Sequence, residues 1–294
     1  MQVSPLIQVE ELSSHLSDAN WKVIDVRYDL ADPQYGQNSY QTARIPGALW
    51  LDLEEDLCAE RTGYNGRHPL ASQDVLIEKL QNLGINNDDH IVFYDDQNSM
   101  LACHAWWILR YLGHESVQVL DGGYKAWVDA GLALETDNPQ AINEQGDIEL
   151  KESDFEVVFL AEILDHILGN RQEGLQLVDA RSAARFEGKE EPLDPVAGHI
   201  PTAINYPFAQ NLTEKGTFKD PATLKSEWLA FLDGIEPATV VHQCGSGVSA
   251  CHNLFALYYA GLGISRLYHG SWSEWCSDHN RPIVTGPEGN EVPY

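Results

Sequence analysis

The chain has 294 residues, 43% of them hydrophobic and 10% aromatic, enough to bury a large core and to suggest about two domains. Its 18 Lys+Arg against 45 Asp+Glu give a formal net charge of −27, spread along the sequence. That argues against nucleic acid and anionic membranes as partners, and requires any anion site to rest on local cations and backbone N–H groups.

Along the first half, KVIDV from Lys22 reads as a buried strand. SQDVLIEKLQNLG reads as a helix with Asp74 in its first turn and Gly84 at its C-cap. HIVFY, the helical stretch MLACHAWWILRYLG and the strand VQVL follow. The polar stretch Thr136 to Leu150, with Pro139 and Gly146 and no hydrophobic period, is the expected linker, placed at residues 138–151 between an N-terminal domain (1–137) and a C-terminal one (152–294). In the second half LQLVDA, TVVHQ and SRLYH read as strands, and VSACHNLFALYYAGLG as a helix starting near Val248. Strands alternating with helices imply an α/β fold, with a mainly parallel sheet flanked by helices in each half.

The halves repeat. Val92 to Trp127 aligns without a gap on Val240 to Trp275 at a constant offset of 148 residues, and IDVR (Ile24–Arg27) pairs with VDAR (Val178–Arg181), as ARIPGA does with GHIPTA. Cys103 and His104 therefore have twins in Cys251 and His252, and Tyr124 and Trp127 have twins in Trp272 and Trp275, which favours structural roles for all eight. Arg27 and Arg181 likewise read as partners of nearby acids.

Cys244 breaks the repeat: it falls opposite Asp96, in a first-half loop with neither glycine. Its own loop, Cys244-Gly245-Ser246-Gly247-Val248-Ser249, follows a strand and precedes a helix, the position where open α/β folds hold ligands. Gly245 and Gly247 permit a tight loop whose N–H groups wrap the sulfur, and with the helix N-terminus they would stabilise a thiolate and a bound persulfide anion. Ser246 and Ser249 add uncharged donors. Cys58 and Cys276 lack such surroundings. There is no CxxC pair and no zinc-like His cluster, so no metal or organic cofactor is expected. Nor is there an apolar run near the roughly 18 residues of a membrane span or a secretory leader pattern. The expected location is cytoplasmic, with the five cysteines free.

The motifs IDVR and VDAR, RIPGA and GHIPTA, DGGYKAW and HGSWSEW, and above all CGSGVSA resemble the tandem-domain rhodanese family of sulfurtransferases over nearly the whole chain. The resemblance implies two rhodanese-like domains, the first catalytically silent, with the active site at their interface. Loops of the form CGSGVTA belong to mercaptopyruvate sulfurtransferases; here Ser249 replaces Thr and keeps the hydroxyl. Arg185 in ARSAARFEG matches the arginine that binds the substrate carboxylate in those enzymes, and a guanidinium fork suits that group. The second arginine they carry is missing, with Leu193 near its place. LDLEEDLCAERTGYNGRHPL resembles the stretch where an acid and a histidine activate the loop serine. His68 is the match, Arg67 beside it is a replacement cation, and either Glu60 or Asp56 is the acid.

The expected chemistry is transfer of sulfane sulfur through a Cys244 persulfide. The donor would be 3-mercaptopyruvate or another small anion such as thiosulfate, and the acceptor a thiol, cyanide or a thioredoxin-like protein. Alternatives are a thiosulfate:cyanide sulfurtransferase and a noncatalytic persulfide carrier. A cysteine phosphatase would need an arginine closing the loop, where Ala250 stands. A dithiol redox pair would need Cys251, which has a structural twin.

Overall fold

The computed structural model describes residues 4–139, 144–169 and 175–287. Residues 140–143 of the expected linker lie outside them. The chain forms two compact units: residues 1–59, 71–154 and 214–218 make the first, and 60–70, 155–213 and 219–294 the second. Each is therefore built mostly from one copy of the repeat and borrows a short segment of the other, and the loop carrying Arg67 and His68 belongs to the second unit.

The first unit holds five strands, β1 (Leu6–Ile7), β2 (Trp21–Asp25), β3 (Leu49–Trp50), β4 (His90–Tyr94) and β5 (Val117–Leu120), in the order β1-β5-β4-β2-β3 with every pairing parallel. The second holds β6 (Gln176–Asp179), β7 (Ile204–Asn205), β8 (Val240–Gln243) and β9 (Arg266–Leu267), in the parallel order β7-β6-β8-β9. A parallel bridge from Val157 to Leu267 extends this sheet where β1 extends the first, so the repeat holds in topology as well as in sequence.

Parallel strands need crossovers, which cover both sheet faces and leave the strands apolar throughout. Four of the five β4 residues and all four of β8 are buried. In the first unit Trp127 packs with Val23, Tyr40, Val92 and Tyr94; in the second, Trp272 and Trp275 pack with Leu177, Phe186, Val241 and Tyr268. Trp127 and Trp275 donate Nε1–H to the carbonyls of Ala133 and Pro282, both at 2.9 Å. These tryptophans are core, as their repetition suggests.

The helix Gln73–Asn82 begins at Ser72, whose Oγ accepts the Val75 N–H, and stops before Gly84, which takes φ +75°. The helices Met100–Tyr111 and Ala250–Tyr259 follow β4 and β8. The second starts two residues later than its sequence suggests. Val248 and Ser249 instead form a tight turn, with Cys251 N–H on the Val248 carbonyl (3.2 Å) and His252 N–H on that of Ser249 (3.3 Å). No helix among the described residues is long and apolar enough to cross a membrane.

Strand order reverses direction between β2 and β4, and between β6 and β8, placing a crevice at the carboxyl ends of each pair. At that end of β2, Asp25 holds Arg27 through both carboxylate oxygens (2.6–3.0 Å). Arg27 also donates to the Ala43 carbonyl at 2.8 Å and lies 4.1 Å over the Tyr124 ring. At the end of β6, Asp179 holds Arg181 in the same way, with the Gly198 carbonyl at 2.8 Å and the Trp272 ring at 4.9 Å. Both arginines are buried, and their pKa is raised: burial alone would lower it, but the paired aspartate outweighs that. As their repetition suggests, these are structural pairs.

Candidate active site

Cys244 follows β8 directly. Its N–H donates to Ser271 Oγ (3.1 Å), its carbonyl accepts from Trp272 N–H (3.0 Å), and the Gly245 carbonyl accepts from Ser273 N–H (2.9 Å), so the backbone on both sides of the sulfur is fixed by the start of the helix Ser271–Trp275. The Gly247 N–H points at Cys244 Sγ, 3.1 Å away. Gly247 takes φ +87°, and a Cβ there would sit 2.5 Å from the His269 carbonyl oxygen, so only glycine can present this amide. Among the described residues, the N–H groups of Gly245, Ser246, Val248, Ser249 and Ala250 have no protein acceptor and remain available to an added sulfur or anion. The residue is only 2% exposed. Cys251 lies behind the loop with its Sγ on the Gly247 carbonyl (3.3 Å), and burial together with Cys244 pushes its thiol well above the usual range. All five cysteines are free.

The residues singled out in sequence converge here. His68 Nδ1 is 2.7 Å from Ser246 Oγ, with both side chains buried. Burial, helped by Arg67, Arg61 and His269, pushes the imidazole pKa down to about 3, so the ring is neutral and Nδ1 can accept the serine proton. Gly245 opens onto two guanidiniums: a Cβ there would lie 2.9 Å from Arg67 Nη2 and 3.5 Å from both terminal nitrogens of Arg185. Arg67 is further held by its N–H on Ser273 Oγ (2.9 Å). Val248 is buried against the loop, and Ser249 caps the following helix without a side-chain bond. Asp56 is engaged elsewhere, by Lys79 (3.1 Å) and the Asp52 N–H (2.9 Å), and Glu60 is exposed.

Two acids escaped the sequence reading. Asp194 accepts from Arg67 Nη1 through one oxygen (2.6 Å) and from Arg185 Nη2 through the other (3.3 Å). Glu191 takes Arg185 Nη2 and Nε (2.7 and 3.2 Å) and Arg181 Nη1 (3.3 Å). Burial tends to raise the Glu191 pKa, but Arg185 and two backbone N–H groups win and hold it below the usual range; in Asp194 burial wins and the pKa is raised. Leu193, near the place of the family's second arginine, is 47% exposed. Nothing in sequence separates these two carboxylates from the chain's other acids.

The first copy offers a built-in comparison. Where the second has Gln243, the first has Asp95, and this carboxylate fills its own loop, accepting the N–H groups of Gln97 (2.9 Å), Ser99 (2.9 Å), Leu101 (2.7 Å) and Ala102 (2.9 Å). Ser99, opposite Gly247, also takes a left-handed φ of +64°. The Gln243 amide bonds to none of its loop, and both of its polar atoms are buried without a partner among the described residues. A loop occupied by its own carboxylate has no amides left for another anion. Asp95→Asn should cost about 3 kcal/mol, because two of the four N–H groups would face an NH₂. Urea unfolding measures this, and a loss under about 1 kcal/mol would contradict the cradle's importance.

A cysteine on an amide-lined loop between strand and helix, with two arginines beside the loop, sits on a doubled parallel α/β fold. The family model for the rhodanese-like domain matches twice, at residues 8–130 and 161–278. The "Probable 3-mercaptopyruvate sulfurtransferase" of Pseudomonas aeruginosa is 45% identical over 97% of this chain and 100% of its own length. The thiosulfate sulfurtransferase of Rattus norvegicus is 32% identical over 90% and 88%. The crystal structure of the Escherichia coli 3-mercaptopyruvate enzyme superposes with a TM-score of 0.77 at 29% identity, covering 92% of this chain and 99% of that one. The chain belongs to the rhodanese family, as a two-domain sulfurtransferase.

Proposed function

We propose that this sulfurtransferase carries sulfur as a persulfide on Cys244 of its C-terminal domain, that its N-terminal domain (1–137, joined by 138–151) is catalytically silent, and that its donor is 3-mercaptopyruvate. The observation that carries the reading is convergence on one sulfur atom: the Gly247 N–H 3.1 Å from Cys244 Sγ, with Arg67 and Arg185 both at Gly245.

The Cys244 thiolate attacks the donor sulfur, an S–S bond forms, and the donor C–S bond breaks with its electron pair passing to carbon as the enolate of pyruvate. The donor's thiol proton ends on that carbon, and Ser246, hydrogen-bonded to neutral His68, is the group placed to relay it. Arg67 and Arg185 orient the carboxylate, while Gly247 and the unpaired amides of the loop hold the persulfide anion. Attack on the outer sulfur by a small thiol, cyanide or a thioredoxin-like thiol then regenerates the Cys244 thiolate. Five free cysteines fit a reducing, cytoplasmic setting. Two arginines at the mouth also admit thiosulfate as a second reading, with sulfite leaving as its S–S bond breaks.

The test is mass spectrometry after donor addition, expecting one sulfur atom gained on Cys244 and lost on adding cyanide, followed by kinetics with both donors. Arg185→Ala and Arg67→Ala should each raise KM for the donor by roughly tenfold or more. A kcat/KM for thiosulfate about tenfold above that for mercaptopyruvate would overturn the donor assignment. An adduct that never discharges would mean a carrier rather than an enzyme.

A further inference from the structure

Arg67 and Arg185 approach Cys244 already half engaged. Arg67 gives Nη1 to Asp194, yet its Nε is buried with no acceptor among the described residues and its Nη2 faces Gly245. Arg185 gives Nε and Nη2 to Glu191 and Asp194, leaving Nη1 on the Gly245 side. Among the described residues, Asp194 alone touches both arginines, and its side chain is 4% exposed, so solvent screens it little. Arg181 is matched by Asp179. With both arginines charged and both acids ionised, the cluster sums to zero before any donor arrives.

We propose that Asp194 is a specificity-determining residue that sets the charge of the donor this site accepts. It rests on the sulfurtransferase reading of Cys244 and adds a reason for donor choice. Bridging the two guanidiniums with a fixed negative charge, Asp194 holds their unused N–H groups toward Gly245 and cancels one of their charges. A monoanion such as mercaptopyruvate meets two oriented donors and one nearby carboxylate. A dianion such as thiosulfate meets the same donors but is repelled twice as strongly by Asp194, at short range and away from water. Discrimination arises from repulsion built into the pocket as well as from attraction.

The experiment compares thiosulfate and mercaptopyruvate, with cyanide as acceptor, in the wild type and in Asp194→Asn, Asp194→Ser and Asp194→Glu. The ratio of kcat/KM for thiosulfate to that for mercaptopyruvate should rise about tenfold or more in the two uncharged variants, mainly through KM for thiosulfate. Asp194→Glu, which keeps the charge, should stay within about threefold of the wild type. An equal change for both donors, or a glutamate variant shifted as far as the asparagine one, overturns the proposal in favour of a purely structural bridge. Thermal melts with sulfate and with pyruvate read the same preference without turnover: the uncharged variants should gain stabilisation from sulfate and not from pyruvate. A wild type that forms no Cys244 persulfide refutes the mechanism, whereas a wild type that forms it while the sulfate and pyruvate shifts stay unchanged in the variants refutes this inference alone.

Discussion

Cys244→Ser should abolish donor turnover, by about a thousandfold or more, and leave no sulfur adduct on the protein. The substitution is nearly isosteric: a serine Oγ at this position could still accept the Gly247 N–H, and the backbone bonds that fix the loop, Cys244 N–H to Ser271 Oγ and the Trp272 and Ser273 N–H groups to the Cys244 and Gly245 carbonyls, do not involve the side chain. A hydroxyl neither ionises at neutral pH nor takes up a sulfane sulfur, so the loss would be chemical and the fold should survive. Cys58→Ser and Cys276→Ser are the controls, since neither residue belongs to the loop, and both should keep turnover within about threefold. An adduct persisting on the Cys244→Ser protein, or turnover surviving in it, would move the chemistry to another cysteine and end the present reading.

The contrast between the two loops explains why one copy would be active. Asp95 and Gln243 stand at equivalent strand ends, but the carboxylate satisfies four amides from within, whereas the neutral glutamine leaves its loop open. Loss of the cysteine, as Asp96, is thus accompanied by closure of the cradle. In the first copy Asp96 takes a hydrogen bond from Tyr35 instead.

Much of this is legible in sequence because the governing interactions are local or repeated. Apolar runs mark β2, β4, β5, β6 and β8, since strands buried on both faces must be apolar. The two-residue strands β1, β3 and β7 are not visible there, because pairing with distant neighbours, not their own pattern, makes them strands. The Cys244 loop is legible because its glycines are dictated by backbone geometry. Asp194 is not: its significance lies in touching Arg67, which is 127 residues away along the chain, and one acid among 45 carries no label. The assignment of residues 60–70 to the second unit is equally hidden, although Arg67 and His68 themselves stand out in the sequence.

Acid should unfold this protein early, because its second unit buries neutral histidines, three of them strongly shifted. Burial holds His242 and His68 down to about 3 and His269 to about 4, from an ordinary 6.5. In the unfolded chain each protonates near 6.5, so the unfolded state binds more protons over the interval between. Their full contribution is present above about pH 6.5 and is lost as pH falls toward about 3 to 4. At pH 5 the loss is about 2 kcal/mol per histidine and about 6 kcal/mol together, a large share of the roughly 5–15 kcal/mol that holds a domain folded. Buried carboxylates with raised pKa, such as Asp25, Asp95 and Asp121, act in the opposite sense, so the histidines are best isolated by difference. His242 suits this: it is fully buried on β8, lies edge-on to Trp228 at 5.7 Å, and has no partner for either ring nitrogen among the described residues. His242→Leu therefore removes one titrating group without breaking a side-chain hydrogen bond. Urea unfolding at about pH 7 and about pH 5 should show the variant losing about 2 kcal/mol less than the wild type across that interval. Equal losses would mean that His242 is already protonated in the native state, which its full burial opposes.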